Sequence, residues 1–591
     1  GPFKLNGKRL LLKGTHRHED HAGVGAAMTE EQMVTEMKLM KEMGVNFIRL
    51  GHYQQSNIIL RLCDELGILV WEEIPWCRGG LGGETYKIQA RRMLTNMITQ
   101  HHNHPSVILW GLGNENDWPN DFPTFEQSQI RAFMKELNDL AHRLDPSRVT
   151  SIRRCDFCKD IVDVYSPSIW AGWYRGKFTD YKSVSEKEMK QVKHFLHVEW
   201  GGDSHARRHA EDPFKSLGGI PAGVGADERA GDFSLVGGDA RASRDGDWSE
   251  SYIVKLVDWH LKEQETMTWL TGTAYWPFKD FSTPLRPENP VPYVNQKGVI
   301  ERDFAKKEVF YVFQSYWTQK PMIHIYGHTW PTRWGAANEP KEILVYSNCP
   351  AVELFVNGVS QGIKQRNSQD FPAAGLHWKC VLREGENQLK AVAVKSKEAI
   401  SDEITVAYQT AQWGEPKQLK LTSYPEGENI IRVAGKSDWT LDFVKMAVVK
   451  AGDEGVVPDT DEFKHAEHIV RSDAGVPGYA TDVTKIDTSK HDLSWYTENF
   501  ARADESCGYA WNYDWDADKN QMNVLKAAAK ASGQDFIAEA FSNSPPYFMT
   551  VSGCSSGNTD SSKDNLRADS VNAFAAYMAD VIEHWDNEGV I

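Results

Sequence analysis

Between residue 8 and about residue 320, short apolar runs alternate with longer segments of helical period, and this alternation limits the fold more than any other feature of the sequence. Eight strand-like runs stand out: Arg9–Gly14, Asn46–Leu50, Ile68–Glu73, Val107–Gly113, Arg148–Ile152, Val162–Ser166, Phe195–Trp200 and Thr273–Trp276. Apolar strands separated by helices read as parallel strands buried on both faces. Eight such βα units predict one closed (β/α)8 TIM barrel, an α/β fold whose chemistry sits where strands end and loops begin. The first helix is marked at both ends. Thr29 is its expected N-cap, Glu30, Glu31 and Gln32 fill the first turn, Met33, Met37 and Met40 share a face, and Gly44 stops it.

Near residue 335 the period changes to two. Ile343–Ser347, Val352–Val356 and Leu389–Val394 alternate, and Asn357-Gly358 between alternating runs is a strong hairpin signal. The expected architecture is a barrel over 1–325, an immunoglobulin-like β-sandwich over 335–412, an irregular junction over 413–474 that starts at Trp413-Gly-Glu-Pro416, and an incomplete C-terminal α/β segment over 475–591. Residues 417–435 still read as strands. In the last segment Lys519–Ala529 and Ser570–Trp585 read as helices and Phe536–Phe541 as a strand, which is too little to close a barrel.

Composition narrows the partners. No run of about 18 apolar residues is present to span a bilayer. A net charge of −16 gives nonspecific binding to a phosphate backbone the wrong electrostatic sign, so neither a membrane nor nucleic acid is expected as partner. The 21 Trp and 20 Tyr suit a cleft in which flat rings stack on sugars. Cys155-Asp-Phe-Cys158 has no second pair at zinc-site spacing, so no structural metal is expected there.

Two runs carry chemistry. Val107-Ile-Leu-Trp-Gly-Leu-Gly-Asn114-Glu115 is an apolar strand that delivers Asn and Glu to its C-terminal end, and His194-Phe-Leu-His-Val-Glu199-Trp200 has the same form. At the ends of the fourth and seventh strands, two carboxylates would converge on one barrel mouth. Carboxyls about 5–5.5 Å apart suit retaining glycoside hydrolysis, in which one is kept protonated by burial and its partner's charge while the other attacks the anomeric carbon. The plain alternative is a pair of ordinary loop carboxylates.

These residues resemble glycoside hydrolase family 2, which includes β-galactosidases, β-glucuronidases and β-mannosidases, over residues 3 to about 410. The motifs recur in family order: Asn6-Gly-Lys8, Lys13-Gly-Thr-His-Arg-His18-Glu-Asp, Arg49-Leu-Gly-His52-Tyr53, Gly113-Asn114-Glu115, the Glu199 strand, Trp276-Pro-Phe-Lys-Asp280 and Asn295-Gln-Lys297-Gly298. The resemblance implies Glu115 as acid/base and Glu199 as nucleophile. It also implies Asn114 on the sugar 2-hydroxyl, His18 and His52 on ring hydroxyls, and Trp276 as the floor of the sugar site. The histidines could equally be satisfied structural residues, and Trp276 a barrel plug. Asn295 and Lys297 resemble an Asn-x-Lys-Gly segment that binds the sugar carboxylate in β-glucuronidases, although galactosidase-like members carry similar residues.

Two departures matter. Trp170, in Ser168-Ile-Trp170-Ala-Gly-Trp173-Tyr174, stands where the family has a Tyr near the nucleophile, and an indole cannot accept a proton as a phenol oxygen can, so support of Glu199 is expected from Tyr165. Glu73-Ile-Pro-Trp-Cys77-Arg-Gly79 lacks the carboxylate and His that bind magnesium in related β-galactosidases, so neither a catalytic metal nor a cofactor is expected. Residues 475–591, with Trp495-Tyr-Thr-Glu-Asn499, Cys507-Gly-Tyr-Ala-Trp511 and Phe541-Ser-Asn-Ser-Pro-Pro-Tyr-Phe-Met549, resemble the start of a family 30 hydrolase near the endo-β-1,6-galactanases. An initial Gly and this open tail lead to the expectation that both ends are cut, and a periplasmic or secreted location is expected over a cytoplasmic one. The implied function is a retaining exo-β-glycosidase on carbohydrate, with β-galactosides placed ahead of β-glucuronides and an inactive sugar-binding remnant as a third reading. Oligomeric state is left open.

Overall fold

The computed structural model describes residues 2–590 apart from 120–124, 229–238, 287, 288, 290, 292, 395, 397, 398, 411–478, 518, 533–544, 554–557 and 559–562. Contacts divide the chain into two compact units, 1–418 and 419–591, each described by itself.

The first unit opens with an eight-stranded parallel sheet: β1 (Leu12–Arg17), β2 (Phe47–Leu50), β3 (Leu69–Glu73), β4 (Val107–Asn114), β5 (Val149–Arg153), β6 (Val164–Ser166), β7 (His197–Val198) and β8 (Gly272–Tyr275). β8 pairs in parallel with both β1 and β7, and a Tyr165–Phe195 bridge joins β6 to the residues before β7, so the sheet curls into a nearly closed barrel. All eight expected strands are present. The first is displaced, because Asn6-Gly7, with φ of 51° and 78°, turns Lys4–Leu5 back on Lys8–Arg9 as a small hairpin, and the barrel strand starts only at Leu12. That shift places His16 inside β1.

Leu12, Phe47, Trp71, Leu109, Val198 and Ala274 fill the barrel interior. Gly14 is required in β1, since a Cβ there would lie 2.5 Å from the Phe47 ring and 2.6 Å from the Thr273 carbonyl. Helices cover the outside: α1 (Glu30–Met43), α2 (Asn57–Leu66), α3 (Glu84–His101), α4 (Gln127–Leu144), α5 (Tyr181–Met189), α6 (Glu250–Thr266) and α7 (Glu308–Trp317). α1 has the expected ends: Thr29 and Gln32 form a reciprocal capping box, and Gly44 closes the helix at φ 100°. Met33, Met37 and Met40 are buried on its inner face.

After the barrel, two sheets pack as a β-sandwich. One contains Ile323–Ile325, Pro340–Ser347 and His377–Val381; the other orders Thr332–Gly335, Ser401–Thr410, Gly385–Val394, Ala351–Val356 and Val359–Gln365. Val356 pairs with Val359 across Asn357-Gly358, both at positive φ, as a two-residue hairpin demands. Ile343, Val345, Val352, Leu354, Trp378 and Leu389 form its core.

In the second unit, Ala480–Lys485, Arg502–Asp504 and Tyr509–Tyr513 form a three-stranded antiparallel sheet. Trp511, Phe548, Tyr577 and Trp585 share its core, with helices at Lys519–Ser532 and Val571–Asn587. Both helices match the sequence expectation, whereas the sheet contains no parallel pair. The expected strands at 417–435 and Phe536–Phe541, and most of the 413–474 junction, lie outside the described residues.

Candidate active site

Polar side chains replace apolar ones at the C-terminal ends of the barrel strands, and most of them are buried. Arg49 of β2 is fully buried, a position that a charged side chain tolerates only with partners. It has several. Nε and Nη2 donate to Glu73 at 2.9 and 3.0 Å, Nη2 donates to Asn114 Oδ1 at 2.8 Å, and Nη1 donates to Glu199 Oε1 at 2.7 Å. Trp71 Nε1 donates to Glu73 at 2.8 Å while its ring faces the guanidinium at 5.0 Å. His16 Nδ1 donates to the Tyr275 carbonyl at 2.9 Å, leaving Nε2 3.3 Å from Arg49 Nη1. Burial first, and the Arg49 charge second, hold His16 well below the usual histidine range, so it is neutral and accepts from Arg49.

Glu115 and Glu199 each occupy the first position beyond a strand, with φ of 53° and 69°. Non-glycine residues in this left-handed region carry strain of about 1–3 kcal/mol, of the kind that clusters at functional sites. Arg153, the last residue of β5, joins the two: its Nη1 donates to Glu115 Oε1 and lies 2.9 Å from Glu199 Oε2. Two oxygens on one nitrogen are separated by at most two hydrogen-bond lengths, roughly 6 Å. That is less than the ~6.5–9.5 Å that an inverting pair needs to admit water. Burial by itself would raise the Glu115 carboxyl, but Arg153, then Arg154, outweigh it and hold Glu115 below the usual carboxylate range. The expectation of an acid kept protonated by burial and its partner's charge is therefore corrected for this state of the protein, because the nearest charge to Glu115 is positive.

A third carboxylate completes the cluster. Glu228 lies 2.8 Å from Arg154 Nη1 and 3.2 Å from Arg153 Nη2, and it accepts from Ser168 Oγ. Sequence reading assigned no role to Arg49, Arg153, Arg154, Glu73 or Glu228. The available signal was a lone Arg within Phe-Ile-Arg-Leu and the Arg-Arg pair closing Val-Thr-Ser-Ile-Arg-Arg, since a charge inside an apolar barrel strand must have a buried partner.

The remaining expected residues fall into three groups. Asn114, His52, His18 and Trp276 gather around the carboxylates. Asn114 presents Oδ1 to Arg49 and donates Nδ2 to Cys77 Sγ at 3.3 Å. His52 donates Nδ1 to Glu73 at 2.6 Å, and its Nε2 lies 3.8 Å from Glu199. Trp276 stacks on His52 at 5.1 Å with planes 11° apart and meets His18 edge-on at 5.2 Å. Burial, then the neighbouring His52, pushes His18 down to about 3. Lys297 and Asn295 form a second group. Lys297 is buried and pairs with Asp203 at 2.6 Å, its Nζ 5.3 Å from the Tyr174 ring, while Asn295 Oδ1 accepts from the Lys297 amide. Trp170 stands beside Tyr174 at 5.0 Å, its buried Nε1 without a hydrogen-bond partner. Tyr165 stands apart from both. Its hydroxyl accepts from the Cys155 amide at 3.3 Å, so the support of Glu199 expected from a phenol comes instead from Arg49 and Arg153.

Comparisons with known proteins place this geometry in context. Residues 1–211 match the TIM barrel domain of glycosyl hydrolases family 2, residues 338–401 match a domain of unknown function, and residues 487–591 match O-glycosyl hydrolase family 30. A crystal structure of Parabacteroides merdae β-glucuronidase superposes with a TM-score of 0.69 at 77% identity, over 70% of this chain and 52% of that one. Bacteroides uniformis β-glucuronidase 3 gives a TM-score of 0.65 at 68% identity, over 70% and 51%. A Bacteroides fragilis β-glucuronidase is 31% identical over 69% of this chain and 55% of its own. The chain thus spans about half the length of the relatives it matches.

Proposed function

The barrel of this chain belongs to glycoside hydrolase family 2, and on that premise we propose that it hydrolyses terminal β-D-glucuronides with retention, Glu199 acting as nucleophile and Glu115 as acid/base. The observation that carries the reading is the single Arg153 nitrogen shared by the two carboxylates, which keeps them at retaining distance.

In the first step Glu199 attacks the anomeric carbon while Glu115 gives its proton to the glycosidic oxygen, so the alcohol leaves and the sugar is esterified to Glu199. In the second, Glu115 takes a proton from water, which attacks the same carbon and frees the carboxylate. Arg49 orients Glu199 and holds Asn114 ready for the 2-hydroxyl, a contact that strengthens in the oxocarbenium-like transition state. Trp276 and His52 offer a stacked wall to the ring.

Galactosides came first on sequence alone. The relatives' names move glucuronides ahead, and the ammonium of Lys297 is the charge that a sugar carboxylate requires. One observation favours a neutral sugar: Asp203 already neutralises Lys297. Assaying aryl β-glucuronide and β-galactoside with wild type and Lys297→Ala separates the two. Selective loss of at least tenfold on the glucuronide supports carboxylate recognition; an unchanged ratio removes it.

A further inference from the structure

The gap between Glu115 and Glu199 is occupied in this structure by one atom, Nη1 of Arg153, where a glycosidic oxygen and anomeric carbon would have to lie. We propose that Arg153 is a positioning residue that controls Glu115, keeping it ionised while the gap holds no sugar and releasing it for protonation when substrate displaces the guanidinium toward Glu228. The inference rests on the carboxylate roles proposed above.

Displacement needs a second resting place, and the structure provides one. Arg153 Nη2 is already 3.2 Å from Glu228 Oε1 and 3.2 Å from Ser168 Oγ, on the far side of the guanidinium from the gap. Ser168 also lines a cavity of about 460 Å³ with Asp156, Tyr165 and Asp227, so that side is not solid packing. Arg153 Nε has no hydrogen-bond partner, which leaves the head group anchored only through its two terminal nitrogens.

The charges facing Glu115 come from four directions. Arg153 and Arg154 follow from β5, His52 from the loop after β2, and Arg78 and Cys77 from the loop after β3, with Glu228 behind the arginines. Burial alone raises the carboxyl, and Arg153 is the largest charge opposing it. Once Nη1 leaves, burial is less opposed and Glu115 takes up a proton from solvent. That proton is the one delivered to the leaving oxygen, and the reverse movement on product release resets the site.

The pH dependence of turnover of a β-glucuronide with a poor leaving group tests this, because kcat/KM reports the free enzyme and kcat the complex. In wild type the alkaline limb of kcat/KM should lie below that of kcat. Arg153→Gln should raise the kcat/KM limb by about one pH unit or more, and Arg153→Lys should return it most of the way. A limb that stays at the wild-type position or moves down in Arg153→Gln overturns the proposal. If that variant does not fold, Glu228→Gln decides: with its second partner weakened, Arg153 should grip Glu115 harder, lowering the limb and raising KM, and an unmoved or raised limb is the contrary result. Turnover that survives Glu199→Gln would instead sink the carboxylate assignment itself.

Discussion

Replacing Arg49 with Met tests whether the site is built on paired buried charge. The change removes two hydrogen bonds to Glu73, at 2.9 and 3.0 Å, one to Glu199 at 2.7 Å and one to Asn114 at 2.8 Å, while roughly conserving volume. Breaking a buried pair from one side costs about 3–5 kcal/mol, because the other charge is left unpaired. Glu73 keeps its donors from His52 and Trp71, so the lower end, about 3 kcal/mol, is expected. In wild type, burial raises the Glu73 carboxyl but the Arg49 charge outweighs it and holds the group below its usual range. Such a group stabilises the native state above its unfolded pKa, and that stability is lost as pH falls through the folded value. Without Arg49, burial is less opposed and the folded value moves up, so the variant should recover stability relative to wild type as pH falls from 7 toward 4.5, the ordinary Glu value. Urea unfolding of the barrel, followed by tryptophan fluorescence, measures both effects. Arg49→Met with Glu73→Gln should lose clearly less than the sum of the single variants, since the stranded charge is gone. A loss under about 1 kcal/mol in Arg49→Met, or strict additivity in the double variant, would refute the reasoning.

Two further outcomes follow from backbone and burial. Gly358 sits at φ 79° with nothing within 4 Å of an added Cβ, whereas at Gly44, φ 100°, that atom would lie 2.6 Å from Trp317 Cβ. Gly358→Ala should therefore cost about 1–2 kcal/mol from backbone strain alone, and Gly44→Ala about 1–3 kcal/mol more from overpacking, read as the difference in thermal unfolding. Burial pushes the Asp258 carboxyl up to about 6, although Ala373 N and Tyr316 Oη donate to it at 2.6 and 2.8 Å. A raised carboxyl contributes stability that is complete below the unfolded pKa and is lost as pH rises through the folded one. Wild type should therefore lose about 2–3 kcal/mol relative to Asp258→Asn between about pH 4 and 7, measured by denaturant unfolding at each pH.

The barrel was legible because its strands are apolar on both faces and its helices carry local punctuation: Thr29, Gln32 and Gly44 act within a few residues of one another. The same local character made Asn357-Gly358 readable. Asn6-Gly7 offered the same signal but lay beside an apolar run that drew the first strand too early. The carboxylates at 115 and 199 could be placed because each ends a conspicuous strand. Their electrostatics could not, since Arg49, Glu73, Arg153 and Glu228 are 24 to 150 residues from the partners they hold, and only closure of the barrel brings them together. Tyr165 illustrates the limit: the sequence puts a phenol near the right strand, but side-chain direction in β6 sends its hydroxyl to Cys155. The antiparallel pairing at 480–513 was equally hidden, because short strands of mixed burial carry no clear period.

The central claim is that Glu199 forms the bond to the sugar. A 2-deoxy-2-fluoro-β-D-glucuronyl fluoride slows both steps while keeping a good leaving group, so the glycosyl-enzyme should accumulate. Mass spectrometry of the digested protein should then find one fluoroglucuronyl group esterified to Glu199 and none in Glu199→Gln. A label on another carboxylate, or no label on protein that turns over an aryl β-glucuronide, would contradict the account.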